Sequence, residues 1–271
     1  MLGRGNLGRS LARAIKGSVL VGGRSGFVNA PAAGIVFLAV PDGVVTETAA
    51  RIARLDTPAA VSFVHVSGAL GLDALAPLRD RHAVGSFHPL QSFPAPRPPA
   101  AFRGITIAVD ASTPELRRRL EVLAGRIGAR PKQVDDAQRA LYHAAAVFAS
   151  NYVVAVVAEG ARLLQAAGWK RDEAEAALLP LVGGVVANLH RRGIVKALTG
   201  PIRRGDVETV QRHLDALAGV RGEPSAEGVY RMLAAVALEI AKEAGLDPAA
   251  AERMRRALTG PTAATRRRRR K

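Results

Sequence analysis

The sequence opens with Met1-Leu2 and then the glycine-rich stretch GRGNLG, residues 3–8. Its glycines have the spacing G-x-G-x-x-G, and the residues that follow, RSLARAI (9–15), have the composition of a helix. In this motif the first glycine allows a tight turn, the second lets a ligand approach the backbone, and the third lets helix and strand pack closely. The stretch therefore predicts a turn into a helix whose first N–H groups face a phosphate.

After this motif, strand-like apolar runs alternate with helical patterns. Apolar runs rich in β-branched residues predict buried strands at Ser18–Gly22, Gly34–Val40, Ala60–Val66, Ala83–Phe87 and Ile105–Val109. Helical patterns lie between several of them, at Leu7–Ile15, Val44–Leu55, Leu70–Arg81 and Thr113–Ile127. Because strands that alternate with helices form mostly parallel sheets, these residues predict an α/β domain.

A strand normally precedes the glycine motif, but only two residues do so here. The strand at this position is central in a doubly wound sheet. We therefore expect the first strand to be truncated in this chain and the true start of the protein to lie upstream.

The character of the sequence changes near residue 133. Helical patterns then follow at about 135–167, 171–192, 206–217, 225–244 and 248–258. We predict a nucleotide-binding α/β domain over residues 1–133, an all-helical domain over 134–260, and a disordered basic tail over 261–271.

Composition excludes several classes of function. The 271 residues include no cysteine, which excludes disulfides, and the histidines have no metal-ligand spacing, so we expect no metal. The net charge is +16, six of it in the last six residues, but only 4% of residues are aromatic, which disfavours a nucleic-acid binder. We find no signal peptide, and the apolar stretch 140–158 contains polar residues that favour a buried helix over a membrane span, so we expect a cytoplasmic protein.

Candidate cofactor residues lie in the glycine motif and at the ends of the next two strands. Gly23-Arg24-Ser25 ends the run Ser18–Gly22, where an acidic residue would bind the ribose of NAD and an Arg can meet the 2′-phosphate of NADP. The alternative for Arg24 is an exposed turn residue. The predicted NADP-binding residues are Gly3, Gly5, Asn6, Leu7, Gly8, Arg24, Ser25, Val40 and Pro41.

Candidate catalytic groups follow the later strands, at the edge where open α/β sheets bind ligands. His88 is held extended by the proline after it, and its imidazole can exchange a proton near neutral pH. Gln91 and Ser92 can supply hydrogen bonds beside it, and Ser67-Gly68 follows the preceding strand. The alternative for His88 is a capping residue in a loop.

Two further groups belong to the predicted helical domain. His143 and Asn151 lie near one face of the first long helix, with Val147 between them. They either close an active site over a nicotinamide or form a satisfied buried pair. Thr199, in the loop LTGPIRRGD (198–206), either contacts an anionic substrate or belongs to a helix cap.

Taken together, the segments FLAVPD (37–42), HVSGALGLDALAPL (65–78), GSFHPLQSF (85–93), ALYHAAAVFASNY (140–152) and LTGPIRRGD resemble one known pattern. It is that of a bacterial family that joins a Rossmann-like NADP-binding domain to a helical C-terminal domain of unknown function. The family is placed within the 6-phosphogluconate dehydrogenase-like, β-hydroxyacid dehydrogenase superfamily.

The resemblance implies an NADP cofactor and a helical domain that makes a homodimer. It implies that His88 is an acid/base, by similarity to prephenate dehydrogenases, and that Ser67-Gly68 is a substrate-binding turn. The related dehydrogenases have a Lys four residues before the Asn that matches Asn151, but Val147 stands here, and His143 would replace that Lys. The expected function is an NADP-dependent oxidoreductase that transfers a hydride to or from a small 2-oxo or hydroxy acid; the alternative is a non-catalytic NADP(H)-binding or sensor protein.

Overall fold

The computed structural model describes residues 1–22, 31–222 and 224–260. Within these ranges the chain forms two compact units, Met1–Tyr152 and a second that begins at Val153. The predicted order, an α/β region followed by long helices, is confirmed. Arg24, Ser25 and the predicted tail lie outside the described residues.

The first unit is built on a five-stranded sheet in the order β1-β2-β3-β4-β5. The strands are β1 (Gly34–Leu38), β2 (Val61–His65), β3 (Val84–Pro89), β4 (Thr106–Ala111) and β5 (Arg130–Gln133). Neighbouring strands run parallel except β3 and β4, which are antiparallel. The helices are α1 (Asn6–Ala14), α2 (Val45–Ala53), α3 (Pro114–Arg126) and α4 (Asp136–Ala149).

The N-terminus lies between two strand-like segments. Leu2 forms parallel bridges with Val21 on one side and with Leu38 of β1 on the other. The Leu2 N–H donates to the carbonyl of Phe37, and the Val21 N–H donates to the carbonyl of Met1. Leu2 therefore holds the position at which we predicted a truncated central strand.

Helices cover both faces of this sheet, which is why its central strands are continuous apolar runs. One face packs against α1 and α3 through buried residues that include Leu11, Phe87 and Leu120. The other packs against α2 and a 3₁₀ segment at Leu72–Leu78 through Ile52 and Phe63 among others. The predicted helix 70–81 is thus a shorter 3₁₀ turn, with Pro77 inside it.

The first long helical pattern, predicted as a single helix over 135–167, is two helices, and the prediction was wrong here. α4 ends at Ala149 and α5 (Asn151–Ala166) begins two residues later. Ser150 has φ −123° and ψ −74°, and its hydroxyl donates to the carbonyl of Ala146 at 2.6 Å, a bond that competes with the helical pattern. Asn151 therefore starts a new helix and does not continue the face that carries His143.

The second unit contains the remaining helices. They are the rest of α5, α6 (Arg171–Ala197, with a break at Gly193), α7 (Pro201–Arg204), α8 (Val207–Leu217), α9 (Ala226–Glu243) and α10 (Pro248–Thr259). α8, α9 and α10 share a core around Leu214, Leu238 and Met254. The side chains of Asp206, Ser225 and Asp247 cap the three helices.

Candidate functional site

The glycine loop has the geometry that its spacing predicts. Gly3 has φ 112°, and a Cβ there would lie 2.2 Å from the carbonyl oxygen of Ala39. A Cβ on Gly8 would lie 2.5 Å from the carbonyl oxygen of Gly3. A Cβ on Gly5 would meet only the Ala39 oxygen, at 4.0 Å. The first and third glycines are thus required by packing, whereas the second faces open space where a ligand can approach.

The N-terminus of α1 offers free donors beside this loop. Gly5 is the N-cap and has no side-chain cap, and the first turn carries no acidic residue. The first helical N–H bonded within the helix is that of Arg9, to the carbonyl of Gly5. The N–H groups of Asn6, Leu7 and Gly8 precede it and can bind an anion.

The proline-rich loop at residues 94–99 holds α1 in place. The Asn6 amide donates to the carbonyl of Pro94 at 2.8 Å, and the Ser10 hydroxyl accepts from the N–H of Arg97 at 2.8 Å. The side chain of Asn6 is thus occupied in positioning the loop, and its backbone N–H is the group left for a cofactor.

The turn after β2 packs against the residues that follow β1. The Ser67 hydroxyl donates to Asp42 Oδ2 at 2.7 Å and accepts from the N–H groups of Ala69 and Leu70, each at 3.1 Å. These bonds give Ser67 a role in shaping the turn, and its role toward a substrate stays a prediction. Val40 and Pro41 lie at the same edge, after β1.

His88, Tyr142 and His143 meet above this turn. His88 lies near the end of β3, and its Nδ1 is 2.7 Å from the hydroxyl of Tyr142 on α4. A Cβ on Gly68 would lie 2.8 Å from His88 Nε2 and 3.0 Å from His143 Nδ1. The two imidazoles therefore converge on Gly68, and the structure brings together three predicted site residues: His88, His143 and Gly68.

His88 and Tyr142 are held in their neutral forms. Burial, with the nearby His143 and Arg139 acting in the same direction and Asp42 against them, lowers the pKa of His88 to about 4. Burial raises the pKa of Tyr142 to about 12, against the effect of Arg139. At neutral pH the pair is therefore a neutral imidazole beside a neutral phenol.

Arg139 anchors α4 to the sheet, and the sequence analysis missed it. Its side chain is 2% exposed, and Nη2 donates to the Ser86 hydroxyl at 2.7 Å and to the carbonyl of Val134 at 3.0 Å. Asp136, one turn earlier, lies 3.8 Å from its Nε and accepts from the N–H of Leu72. The polar residues at 136, 139 and 143 have the spacing of one helix face, which was the signal available in the sequence.

The remaining predicted residues are not brought to this cluster by any described contact. Gln91 and Ser92 are exposed just after β3, and Asn151 is exposed at the start of α5, where its side-chain oxygen lies 2.9 Å from the Ser150 hydroxyl oxygen. Thr199 belongs to the second unit, where it lines a groove with Arg203 and Arg204. Within the described ranges, no group of three or more His, Asp or Glu side chains could hold a metal.

Part of the chain matches a known family model. Residues 105–237 match a family model described as a domain of unknown function, DUF2520. No curated protein matches the sequence.

Several solved structures share the fold. A "putative NADP oxidoreductase" from Bacteroides fragilis is 25% identical with a TM-score of 0.69, over 88% of this chain and 96% of that one. A protein from Thermotoga maritima is 22% identical with a TM-score of 0.70, over 89% and 97%. A pyrroline carboxylate reductase from Plasmodium falciparum, solved with NADP bound, is 12% identical with a TM-score of 0.51, over 95% and 98%. At these identities the last two show a shared fold.

Proposed function

We propose that this chain, whose residues 105–237 match the DUF2520 model and whose fold is shared with a "putative NADP oxidoreductase", is a cytoplasmic NADP-dependent oxidoreductase. Its reaction would be hydride transfer to or from a small 2-oxo or hydroxy acid. The observation that carries the proposal is that one sheet edge holds both a glycine loop shaped for a pyrophosphate and a histidine pair converging on Gly68.

Each part of this edge has a distinct task. The N–H groups at the start of α1 would bind the pyrophosphate, and the close contact of Gly3 with Ala39 would fix the loop. The nicotinamide, when bound, supplies or accepts the hydride. His88 would exchange a proton with the substrate oxygen through Nε2, and His143 would hold that oxygen from the other side.

Replacing Gly5 by alanine tests the cofactor site without disturbing the fold. The added Cβ meets no atom closer than 4.0 Å, so the protein is expected to fold normally. The same methyl group would stand where the pyrophosphate approaches, so the Kd for NADPH is expected to rise by about tenfold or more, which is roughly 1.4 kcal/mol. Titration of nicotinamide fluorescence, with NADPH and NADH compared, measures this.

The matched control is Gly125→Ala, because Gly125 lies within α3 and an added Cβ meets nothing within 4 Å. This control is expected to bind NADPH like the unchanged protein. Equal NADPH binding by Gly5→Ala and Gly125→Ala would contradict the proposed cofactor site.

A non-catalytic NADP(H)-binding or sensor protein is the second candidate. It is favoured by Val147, which stands where the related dehydrogenases have a Lys. Tight NADPH binding without turnover of any 2-oxo acid, aldehyde or ketone would identify it, whereas turnover of any of these would exclude it.

We also propose that the chain acts as a homodimer through its second unit. Nine large apolar residues of α5 and α6 are between 42% and 70% exposed: Val153, Val154, Val156, Leu179, Leu181, Val185, Val186, Leu189 and Ile194. Exposed apolar side chains that come together in one surface mark interaction sites, and we propose that these do so in the dimer contact.

A second copy of the chain fits this surface better than a membrane. By length and composition alone, the stretch Asp136–Ala166 is apolar enough to span a bilayer. However, Arg139 and Tyr142 tie its first half to Ser86 and His88 of the sheet, which holds that half inside the first unit.

Replacing Leu181 by glutamate tests the dimer, since it would bury a carboxylate in the contact. Sedimentation equilibrium is expected to show a dimer for the unchanged protein and a monomer for Leu181→Glu. Arg192→Glu, a charged position of the same helix, is expected to leave the dimer intact. A monomeric unchanged protein, or one that binds phospholipid vesicles instead, would refute the homodimer.

A further inference from the structure

Tyr142 contacts the nitrogen of His88 that faces away from the proposed substrate position. The phenol oxygen is 2.7 Å from His88 Nδ1, and the rings are nearly perpendicular, at 89° with centroids 5.6 Å apart. His88 Nε2, on the opposite side of the ring, faces Gly68 and His143. One nitrogen of His88 therefore contacts the phenol, and the other faces the proposed substrate position.

The direction of this hydrogen bond follows from the partners of the phenol. Among the described residues, His88 Nδ1 is the one hydrogen-bond partner of the Tyr142 hydroxyl. A phenol O–H with one acceptor in reach donates to it. In the arrangement proposed below, Tyr142 donates to Nδ1, and His88 carries its own proton on Nε2, toward Gly68.

We propose that Tyr142 is a positioning residue that passes a proton to His88, and that the reducible group of the substrate is a carbonyl rather than an imine. This inference rests on the proposed function; it adds a proton path to the same site and excludes imines from its substrates.

The relay follows from the neutral state of both side chains. Burial keeps His88 uncharged at neutral pH, with Arg139 and His143 acting in the same direction and Asp42 against them. A neutral imidazole can release the proton on Nε2 only if Nδ1 gains one, because the imidazolate anion is too high in energy. Tyr142 is the group in contact with Nδ1, and its own proton is retained up to high pH.

Two proton transfers would accompany the reduction, and they leave His88 neutral. On reduction of the carbonyl carbon, the carbonyl oxygen would take the proton from His88 Nε2 and become a hydroxyl. Nδ1 takes the proton of the Tyr142 hydroxyl, so His88 stays neutral with its proton on the other nitrogen. The phenolate then takes a proton from solvent, which is the proton consumed when a carbonyl and NADPH become an alcohol and NADP.

The same charges disfavour an imine substrate. A protonated imine is a cation that accepts hydride without needing a proton, so a donor relay would have no task. It would also lie beside His88, where the buried positive charge of Arg139 already disfavours a second cation. A neutral carbonyl avoids this repulsion and needs the proton that the relay supplies.

Tyr142→Phe removes the donor and keeps the ring. Long-range ¹H–¹⁵N NMR of the full chain is expected to show His88 as the Nε2–H tautomer, and as a mixture of tautomers in the variant. In NADPH oxidation with a panel of 2-oxo acids, kcat is expected to fall by about 100-fold with KM little changed, the lower end of what a proton donor contributes. NADPH binding is expected to be unaffected, which separates a failed relay from a failed cofactor site.

The chain contains a matched control for this variant. Tyr230 and His213 form a similar pair in the second unit, with the hydroxyl 3.0 Å from Nδ1 and the rings at 90°. Tyr230→Phe is expected to leave kcat and the His88 tautomer unchanged. The proposal is overturned if His88 carries its proton on Nδ1, if Tyr142→Phe keeps full kcat, or if a cyclic imine is reduced faster than every 2-oxo acid.

Discussion

Gly68→Ala is expected to remove most of the activity while leaving NADPH binding intact. The new Cβ would stand 2.7 Å from His88 Cε1 and 2.8 Å from His88 Nε2, distances that carbon contacts do not reach. It would also stand 3.0 Å from His143 Nδ1, so both imidazoles must move. Since no glycine of the loop at residues 3–8 contacts His88 or His143, NADPH binding is expected to be unchanged by this displacement.

The size of the effect follows from how strongly proton transfer depends on position. A displacement of about 1 Å at a reacting group can cost 100-fold in rate, so kcat/KM is expected to fall by about 100-fold or more. Overpacking of this kind also costs about 1–3 kcal/mol of stability. Steady-state kinetics, together with NADPH titration on the same preparation, separates loss of chemistry from loss of fold.

Gly125→Ala serves again as the control, because it adds the same methyl group to α3 in open space. If Gly68→Ala turned over substrate as fast as this control, His88 and His143 would not be the groups that carry the reaction. Crystals of the variant should then show whether the two rings had moved.

The glycine loop and the central strands could be predicted because local sequence determines them. Gly3 and Gly8 occupy positions where any side chain would collide with backbone carbonyls, and such positions leave a glycine spacing in the sequence. The apolar runs of β1 and β2 reflect strands covered on both faces. In these places the local pattern and the fold agree.

Other elements could not be predicted because they depend on contacts between distant residues. β5, with the sequence RPKQ, is fully exposed and has no apolar pattern; it becomes a strand by pairing with the edge of β4. Its Pro131 is tolerated because an edge strand needs fewer backbone donors. From the sequence alone, we interpret this segment as the end of the α/β domain and not as a strand.

In the site, too, residues set by local sequence could be predicted, and residues set by distant contacts could not. His88 was found because a histidine before a proline follows a clear strand. Tyr142 lies at the edge of the helix face that carries His143, but its contact with His88 was not predicted, and Arg139 was not singled out. Their partners, His88 and Ser86, are more than fifty residues away in sequence. The break at Ser150, which separates Asn151 from His143, depends on one hydroxyl bonding back to Ala146. A helix pattern with a single serine in it does not reveal such a bond.

Acid is expected to destabilise the first unit well before its carboxylates are protonated. Burial and the positive charge of Arg139 lower the pKa of His65 to about 4, and burial lowers that of His88 to about 4. The ordinary histidine value is 6.5. Between these values the unfolded chain binds protons that the folded protein does not, so the free energy of unfolding falls as the pH drops from 6.5 to 4.

The expected loss of unfolding free energy is large for two side chains. A shift of this size corresponds to about 3 kcal/mol for each histidine, or roughly 6 kcal/mol for both. The pKa of His82 is also lowered by burial, which acts in the same direction. Above pH 6.5 these histidines contribute no pH dependence, because they are neutral in both states.

Urea unfolding at a series of pH values, followed by far-UV circular dichroism, measures this loss. His65→Leu removes one of the two groups and is expected to reduce the fall in unfolding free energy by about half. His190→Gln, at an exposed position of α6, is expected to leave the fall unchanged. The single tryptophan, Trp169, lies in the second unit, so its fluorescence follows the part of the chain without these buried histidines. An equal acid dependence for His65→Leu and the unchanged protein would show that His65 does not remain neutral in the folded state.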